Sequence, residues 1–216
     1  MSYSRVNPST RYLDLLSMYR QMHQMGEQFL GVSPADTFPG KSLKPQVGRI
    51  KELIIRTGAQ TILDYGCGKG QQYGPQKIRD ASGQSWPSVI DYWEIDEVVC
   101  YDPCHEPYRR LPKGKFDGVI STDVLEHCPE DDVPWIVDEI FGYAIRFVFA
   151  NVACYPARKR LPNGENAHCT IKPPEWWHEL VGAIATRHPG VVWEFWFKLY
   201  AETAAGTRAV EKKIGG

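Results

Sequence analysis

Residues 61–70, TILDYGCGKG, constrain this chain more than any other stretch. A short apolar run ends on Asp64, and Gly66, Gly68 and Gly70 follow at alternate positions. Glycines spaced this way let the backbone turn sharply and come close to a ligand. In open α/β sheets, ligands bind where the carboxyl end of a strand meets the next helix. The run is not a phosphate loop, because G-x-x-x-x-G-K-[ST] is absent, and its one-residue glycine spacing departs from the dinucleotide pattern. Alternating glycine alone is a weak signal. It gains weight from the acid before it and from Asp102, which ends the next apolar run, VVCYDP. A carboxylate in that place can accept both hydroxyls of a ribose.

The surrounding pattern predicts the sheet that such a turn needs. TILDYG, VVCYDP (98–103), FDGVIST (116–122), IRFVFANVAC (145–154) and VVWEFWFKLY (191–200) read as strands, and TRAVEKKI reads as a shorter one paired with the last. Between them, residues 129–144 place Val133, Ile136, Val137, Ile140, Phe141 and Ala144 on one helical stripe, and Pro174 opens another helix. Strands alternating with helices predict an α/β, doubly wound, mostly parallel sheet covered on both faces. Ahead of it, Ser9 caps a predicted helix carrying Tyr12, Leu15, Leu16, Tyr19, Met22 and His23 on one face. After a Pro/Gly-rich loop (31–44), Pro45 begins a second helix with Val47, Ile50, Leu53 and Ile54 inward and Gly58 past its end. The expectation is one domain over residues 1–216, with 1–58 a helical cap and 59–216 the core.

Composition narrows the class. A formal net charge of −1 across 216 residues argues against holding nucleic acid by bulk phosphate attraction. No run approaches the roughly 20 apolar residues of a membrane span, and the N-terminus has no apolar signal core, so a soluble cytoplasmic protein is expected. The six cysteines form no C-x-x-C pair, which favours reduced thiols packed as small hydrophobes.

With these residues in order, the chain resembles the class I S-adenosylmethionine-dependent methyltransferases, whose fold is Rossmann-like. ILDYGCGKG is similar to their first motif, CYDP to their second, and FDGVISTDVLEH to the fourth strand and following turn. The resemblance spans about residues 60–200. It implies S-adenosylmethionine as cofactor. Asp64, Tyr65, Gly66, Cys67, Gly68 and Gly70 would lie around its methionine portion, Asp102 and Pro103 at the ribose, and Thr122 and Asp123 beside the reactive methyl. Two departures stand out. Asp64 and Asp102 are roughly 40 residues apart, where nucleotide-binding units use roughly 20. From Asp102 to Phe116 there is too little chain for a helix, a third strand and a second helix, so that sheet edge is expected to be reduced. The adenine ring must then be walled by the aromatic insertion (Trp86, Tyr92, Trp93) or by Pro103 and Cys104.

Asp123, Glu126 and His127 form D-x-x-E-H, and at helical spacing they share a face. His168 lies in the connection after IRFVFANVAC, over the same sheet edge. These four side chains either bind a divalent metal or supply a general base toward a hydroxyl; the remaining reading is structural. The resemblance extends to family branches that methylate quinone precursors or the terminal ribose of small RNAs, in which such a set binds metal. The reading is an O-methyltransferase acting on a small molecule or sugar derivative, with an RNA- or nucleotide-terminal ribose enzyme or a non-catalytic cofactor-binding module as alternatives. Lys41, Lys44, Arg49, Arg158, Lys159 and Arg160 are candidate contacts to an anionic acceptor. Trp193, Phe195, Trp196 and Phe197 in the last long strand need cover on both faces, from helices or from a second copy of the chain.

Overall fold

A computed structural model describes residues 3–79, 82–203 and 206–216. Among these residues five α-helices run Thr10–Met25 (α1), Val47–Thr57 (α2), Val89–Trp93 (α3), Val133–Tyr143 (α4) and Pro174–Ala185 (α5). The strands are Thr61–Tyr65 (β1), Ile78–Arg79 (β2), Ser85–Trp86 (β3), Glu97–Tyr101 (β4), Phe116–Thr122 (β5), Ala144–Ala153 (β6), Val192–Thr203 (β7) and Gly206–Gly215 (β8). Six of them form one sheet in the order β4-β1-β5-β6-β7-β8, and β2 pairs with β3 apart from it. All neighbours in the sheet are parallel except β7 and β8, which pair antiparallel from Glu194↔Gly215 to Thr203↔Gly206. This is the predicted α/β architecture, compatible with a Rossmann-like fold. Among the described residues no strand lies beyond β4, so the edge is short, as the spacing from Asp102 to Phe116 requires.

The helices divide between two cores. On one face α4 buries Val133, Ile136, Val137, Ile140 and Phe141, and α5 brings Trp177, Val181 and Ile184. On the other, α2 buries Val47, Ile50, Leu53 and Ile54 against Ile62, Ile120, Phe147 and Phe149. Gly58, left-handed at φ 67°, ends α2 and returns its N–H to the Ile54 carbonyl at 2.8 Å. Pro45 precedes α2 rather than opening it, inside a 3-10 turn over Lys41–Gln46. Strand β7 shows why its aromatic residues need two covers: Trp193, Phe195 and Phe197 join the α4/α5 core, while Trp196 packs toward the α2 core. The protein's own helices cover both faces.

The aromatic insertion goes elsewhere than expected. Trp93 is fully buried beneath α2 and donates its indole N–H to the Val47 carbonyl at 2.9 Å. Trp86 meets Tyr92 edge-on at 6.0 Å. Trp93 completes the α2 core and Tyr92 packs against it, a favourable place for large apolar surface. Among the described residues no helix is long and apolar enough to cross a membrane.

Helix α1 is strapped across the carboxyl edge of the sheet. The Ser9 hydroxyl accepts from the Tyr12 N–H at 3.0 Å, a cap worth about 1 kcal/mol. The same residue is tied to buried Asp132 through its hydroxyl and through its own N–H at 3.0 Å. Arg5 pairs with Glu139 and donates to the Tyr65 hydroxyl at 2.7 Å. Strand order reverses between β1 and β5, and the crevice opened there is what α1 closes from above.

Candidate functional site

At that crevice lies a cavity of about 710 Å³, within the roughly 300–1,000 Å³ usual for small-molecule sites. Its walls come from α1, the 31–44 loop, and the turns after β1, β4, β5 and β6. Of the predicted cofactor residues, Tyr65, Gly66, Cys67, Gly68, Asp102, Pro103, Thr122 and Asp123 line it; Asp64 and Gly70 lie behind. Cys104 also lines the cavity, whereas Trp86, Tyr92 and Trp93 do not. Between the two adenine walls considered from sequence, the structure leaves Pro103 and Cys104 beside the cavity.

The glycine turn is left-handed at all three glycines, with φ 88°, 61° and 63° at Gly66, Gly68 and Gly70. The N–H groups of Gly66 and Cys67 both donate to the Tyr101 carbonyl, at 2.7 and 3.1 Å, folding the turn back onto β4. A methyl on Gly66 would stand 2.5 Å from Val124, and one on Gly68 would overlap the Phe38 carbonyl oxygen. Gly68→Ala therefore combines left-handed strain with a backbone clash and is expected to cost about 1–3 kcal/mol. Chemical denaturation of the variant against the parent protein checks it.

Asp102 is buried, its Oδ2 accepting from the Gly68 N–H at 3.0 Å and its Oδ1 from the Cys104 N–H at 2.8 Å. Burial raises its pKa to about 6 against those two bonds. Asp64 is buried deeper. Its Oδ2 accepts from Tyr73 (2.8 Å) and Gln72 (3.0 Å), while its Oδ1 and the Gln72 Oε1 have no partner among the described residues. Burial pushes the Asp64 carboxyl up to about 7. Neither unpartnered atom lines the cavity.

The D-x-x-E-H turn is not a helix face. Asp123 adopts φ 54°, and only Leu125–His127 forms a 3-10 turn. The three side chains consequently diverge. Asp123 is neutralised by Lys198, whose Nζ lies 2.9 and 3.1 Å from its two oxygens, and it also takes an N–H from Asn151. Glu126 is fully buried with Oε1 on the Ala153 N–H at 2.8 Å, while Oε2 has no partner among the described residues. Burial first, and then neighbouring Asp123, raise its pKa to about 8. A raised carboxyl pKa supports folding at acid pH and withdraws that support as pH rises through the folded value. Glu126→Gln keeps the acceptor and removes the titration, so its melting temperature is expected to fall less than the parent's between pH 6 and pH 9. Equal falls would contradict this.

His127 and His168 do converge, their rings 4.8 Å apart and edge-to-face. The His127 Nδ1 lies 2.9 Å from both the Ala167 carbonyl and the Tyr19 hydroxyl, and that hydroxyl donates to the same carbonyl at 2.7 Å. A carbonyl only accepts, so Nδ1 carries the proton and Nε2 the lone pair. The His168 Nδ1 is likewise set on the Tyr155 carbonyl at 2.6 Å. Burial lowers the His127 pKa to about 3, and lowers that of half-buried His168 below 6.5. Both imidazoles are neutral at neutral pH.

The metal reading of Asp123, Glu126, His127 and His168 does not fit this geometry. Among the described residues no group of three or more His, Cys, Asp or Glu side chains is arranged to hold a metal ion. Asp123 is spent on Lys198, and Glu126 turns toward the Ala153 backbone. Of the basic residues singled out, Lys41, Arg158 and Lys159 line the cavity; Lys44, Arg49 and Arg160 do not. Arg49 is held by Glu211 at 2.6 Å and covers the Trp196 ring at 3.6 Å. Tyr19, His23, Phe38 and Ser42 are cavity residues that pattern reading took for core or loop. Their signal was slight: polar-tipped Tyr19 and His23 four apart on an otherwise apolar stripe.

Compared with known proteins, the chain has no significant match to a family profile, to a curated protein or to a solved structure.

Proposed function

We propose that this chain is a methyltransferase that uses S-adenosylmethionine to methylate a hydroxyl oxygen of a small-molecule or sugar acceptor. One observation carries the reading: a single cavity is walled by the glycine turn and Asp102 and also by two neutral imidazoles. The residues present suit the cofactor. Tyr65, Gly66, Cys67 and Gly68 wall the part of the cavity available to the methionine portion. Asp102 retains accepting capacity for ribose hydroxyls, and Pro103 and Cys104 are the neighbours available to the adenine. When bound, S-adenosylmethionine supplies an electrophilic methyl group, and the protein's task is chiefly alignment, which can be worth about 7–11 kcal/mol.

A hydroxyl acceptor must also lose its proton. The better base is His168, because a group is most effective when its pKa lies near the working pH. His127, at about 3, is too weakly basic to compete and instead helps to pin the 167–168 segment through Ala167. No step requires a metal. The test is titration calorimetry with S-adenosylhomocysteine, followed by methyl-label transfer to metabolite fractions in excess chelator. One-to-one binding and chelator-resistant transfer are expected. Absence of binding would overturn the reading, binding without transfer to any fraction would favour a non-catalytic module, and loss of transfer on chelation would restore the metal.

A further inference from the structure

Three cations line the cavity: Lys41 and Arg158 at its exposed rim and Lys159 half-buried between them and the interior. Among the described residues none of the three forms an ion pair, whereas Arg5, Arg49, Arg56 and Lys198 each do. The Lys159 ammonium lies 4.6 Å over the Phe38 ring. Phe38 packs edge-on to Tyr19 at 5.8 Å, and Tyr19 holds His127. That chain of contacts brings the Lys159 charge close to the imidazole pair. The acid whose charge acts on it, Glu27, is buried and already accepts from the N–H groups of Phe29, Leu30 and Arg160, at 3.3, 2.6 and 3.2 Å. Burial, opposed by Glu27 and reinforced by Lys41, lowers the Lys159 pKa. A cation partly withdrawn from water, with a second cation acting on it, is costly unless an anion joins it.

We propose that Lys159, with Arg158 and Lys41, forms a subsite for a carboxylate or phosphate group on a small-molecule acceptor. The subsite rests on the proposed function for the word acceptor, but its chemistry stands on the cations alone. A guanidinium and two ammonium groups suit a compact dianion or carboxylate, which Arg grips through paired N–H donors. The anchored anion would hold the rest of the acceptor inward, toward His168. The near-zero net charge of the chain and the half-burial of Lys159 fit a small ligand better than a polymer backbone.

Matched probe pairs test this: 4-hydroxybenzoate against phenol, and ribose 5-phosphate against ribose, titrated into the full chain with and without S-adenosylhomocysteine. At least one acidic member is expected to bind about tenfold or more tightly than its neutral partner, and Lys159→Gln with Arg158→Gln to erase that margin. Unchanged melting temperatures show that the variants fold, and Lys41→Gln provides a rim substitution that should erode the margin less. Equal binding of acid and neutral members, or a margin that survives both substitutions, overturns the subsite even if S-adenosylhomocysteine binds. Failure of S-adenosylhomocysteine alone, with the acid margin intact and lost in the variants, overturns the cofactor reading and leaves the subsite standing. Tight binding of a single-stranded oligonucleotide that displaces the acid and collapses with salt overturns the small-molecule assignment.

Discussion

Replacing His168 by alanine is expected to lower the methyl-transfer rate by about 10²–10⁴ while S-adenosylhomocysteine binds as before. The imidazole is held by its Nδ1 on the Tyr155 carbonyl, with the Nε2 lone pair left for a hydroxyl proton. The pH profile separates this role from a structural one. Protonation destroys a base, so activity is lost as pH falls through the His168 pKa, which burial holds below 6.5. That acid limb should vanish from the residual activity of His168→Ala. His127→Ala should act more mildly on rate, because a group titrating near 3 accepts protons poorly at any working pH. A larger loss at His127 than at His168, with both variants folded, would reverse the assignment.

Asp102→Ala is expected to weaken S-adenosylhomocysteine binding by about 1–3 kcal/mol, through lost charge-assisted hydrogen bonds to ribose hydroxyls. The carboxylate is set for this by the Gly68 and Cys104 N–H groups, which hold one oxygen each. Its pKa, raised to about 6, adds a signature. The charged form is the better acceptor, so affinity should decline as pH falls through about 6 in the parent protein. The variant should show no such decline. Calorimetry across pH 5 to 8 reads both effects. Undiminished affinity in Asp102→Ala would place the ribose elsewhere.

The sheet and the glycine turn were legible because each rests on local signals: short apolar runs, a helical stripe, a glycine series after a strand. The shortened edge was legible too, since chain length between Asp102 and Phe116 cannot hold more elements. Residues 123–127 misled because helical spacing was assumed where Asp123 is left-handed and the turn is 3-10. The partner that takes up Asp123, Lys198, stands on β7 opposite Ala153 of β6, a register that no local pattern reveals. The tryptophans of the insertion misled differently. Large aromatic residues satisfy a core as readily as a ligand, and Trp93 found a buried acceptor in Val47. Tyr19 and Phe38 escaped notice because their roles arise only when α1 and the 31–44 loop fold over the sheet edge.

A crystal structure with S-adenosylhomocysteine tests the central claim most directly. Density is expected to run from the glycine turn at Gly66 and Gly68 to Asp102, with the sulfur facing the space beside His127 and His168. Ligand density that avoids Asp102, or a cavity that excludes the compound at concentrations far above those of methyltransferase binding, would contradict it.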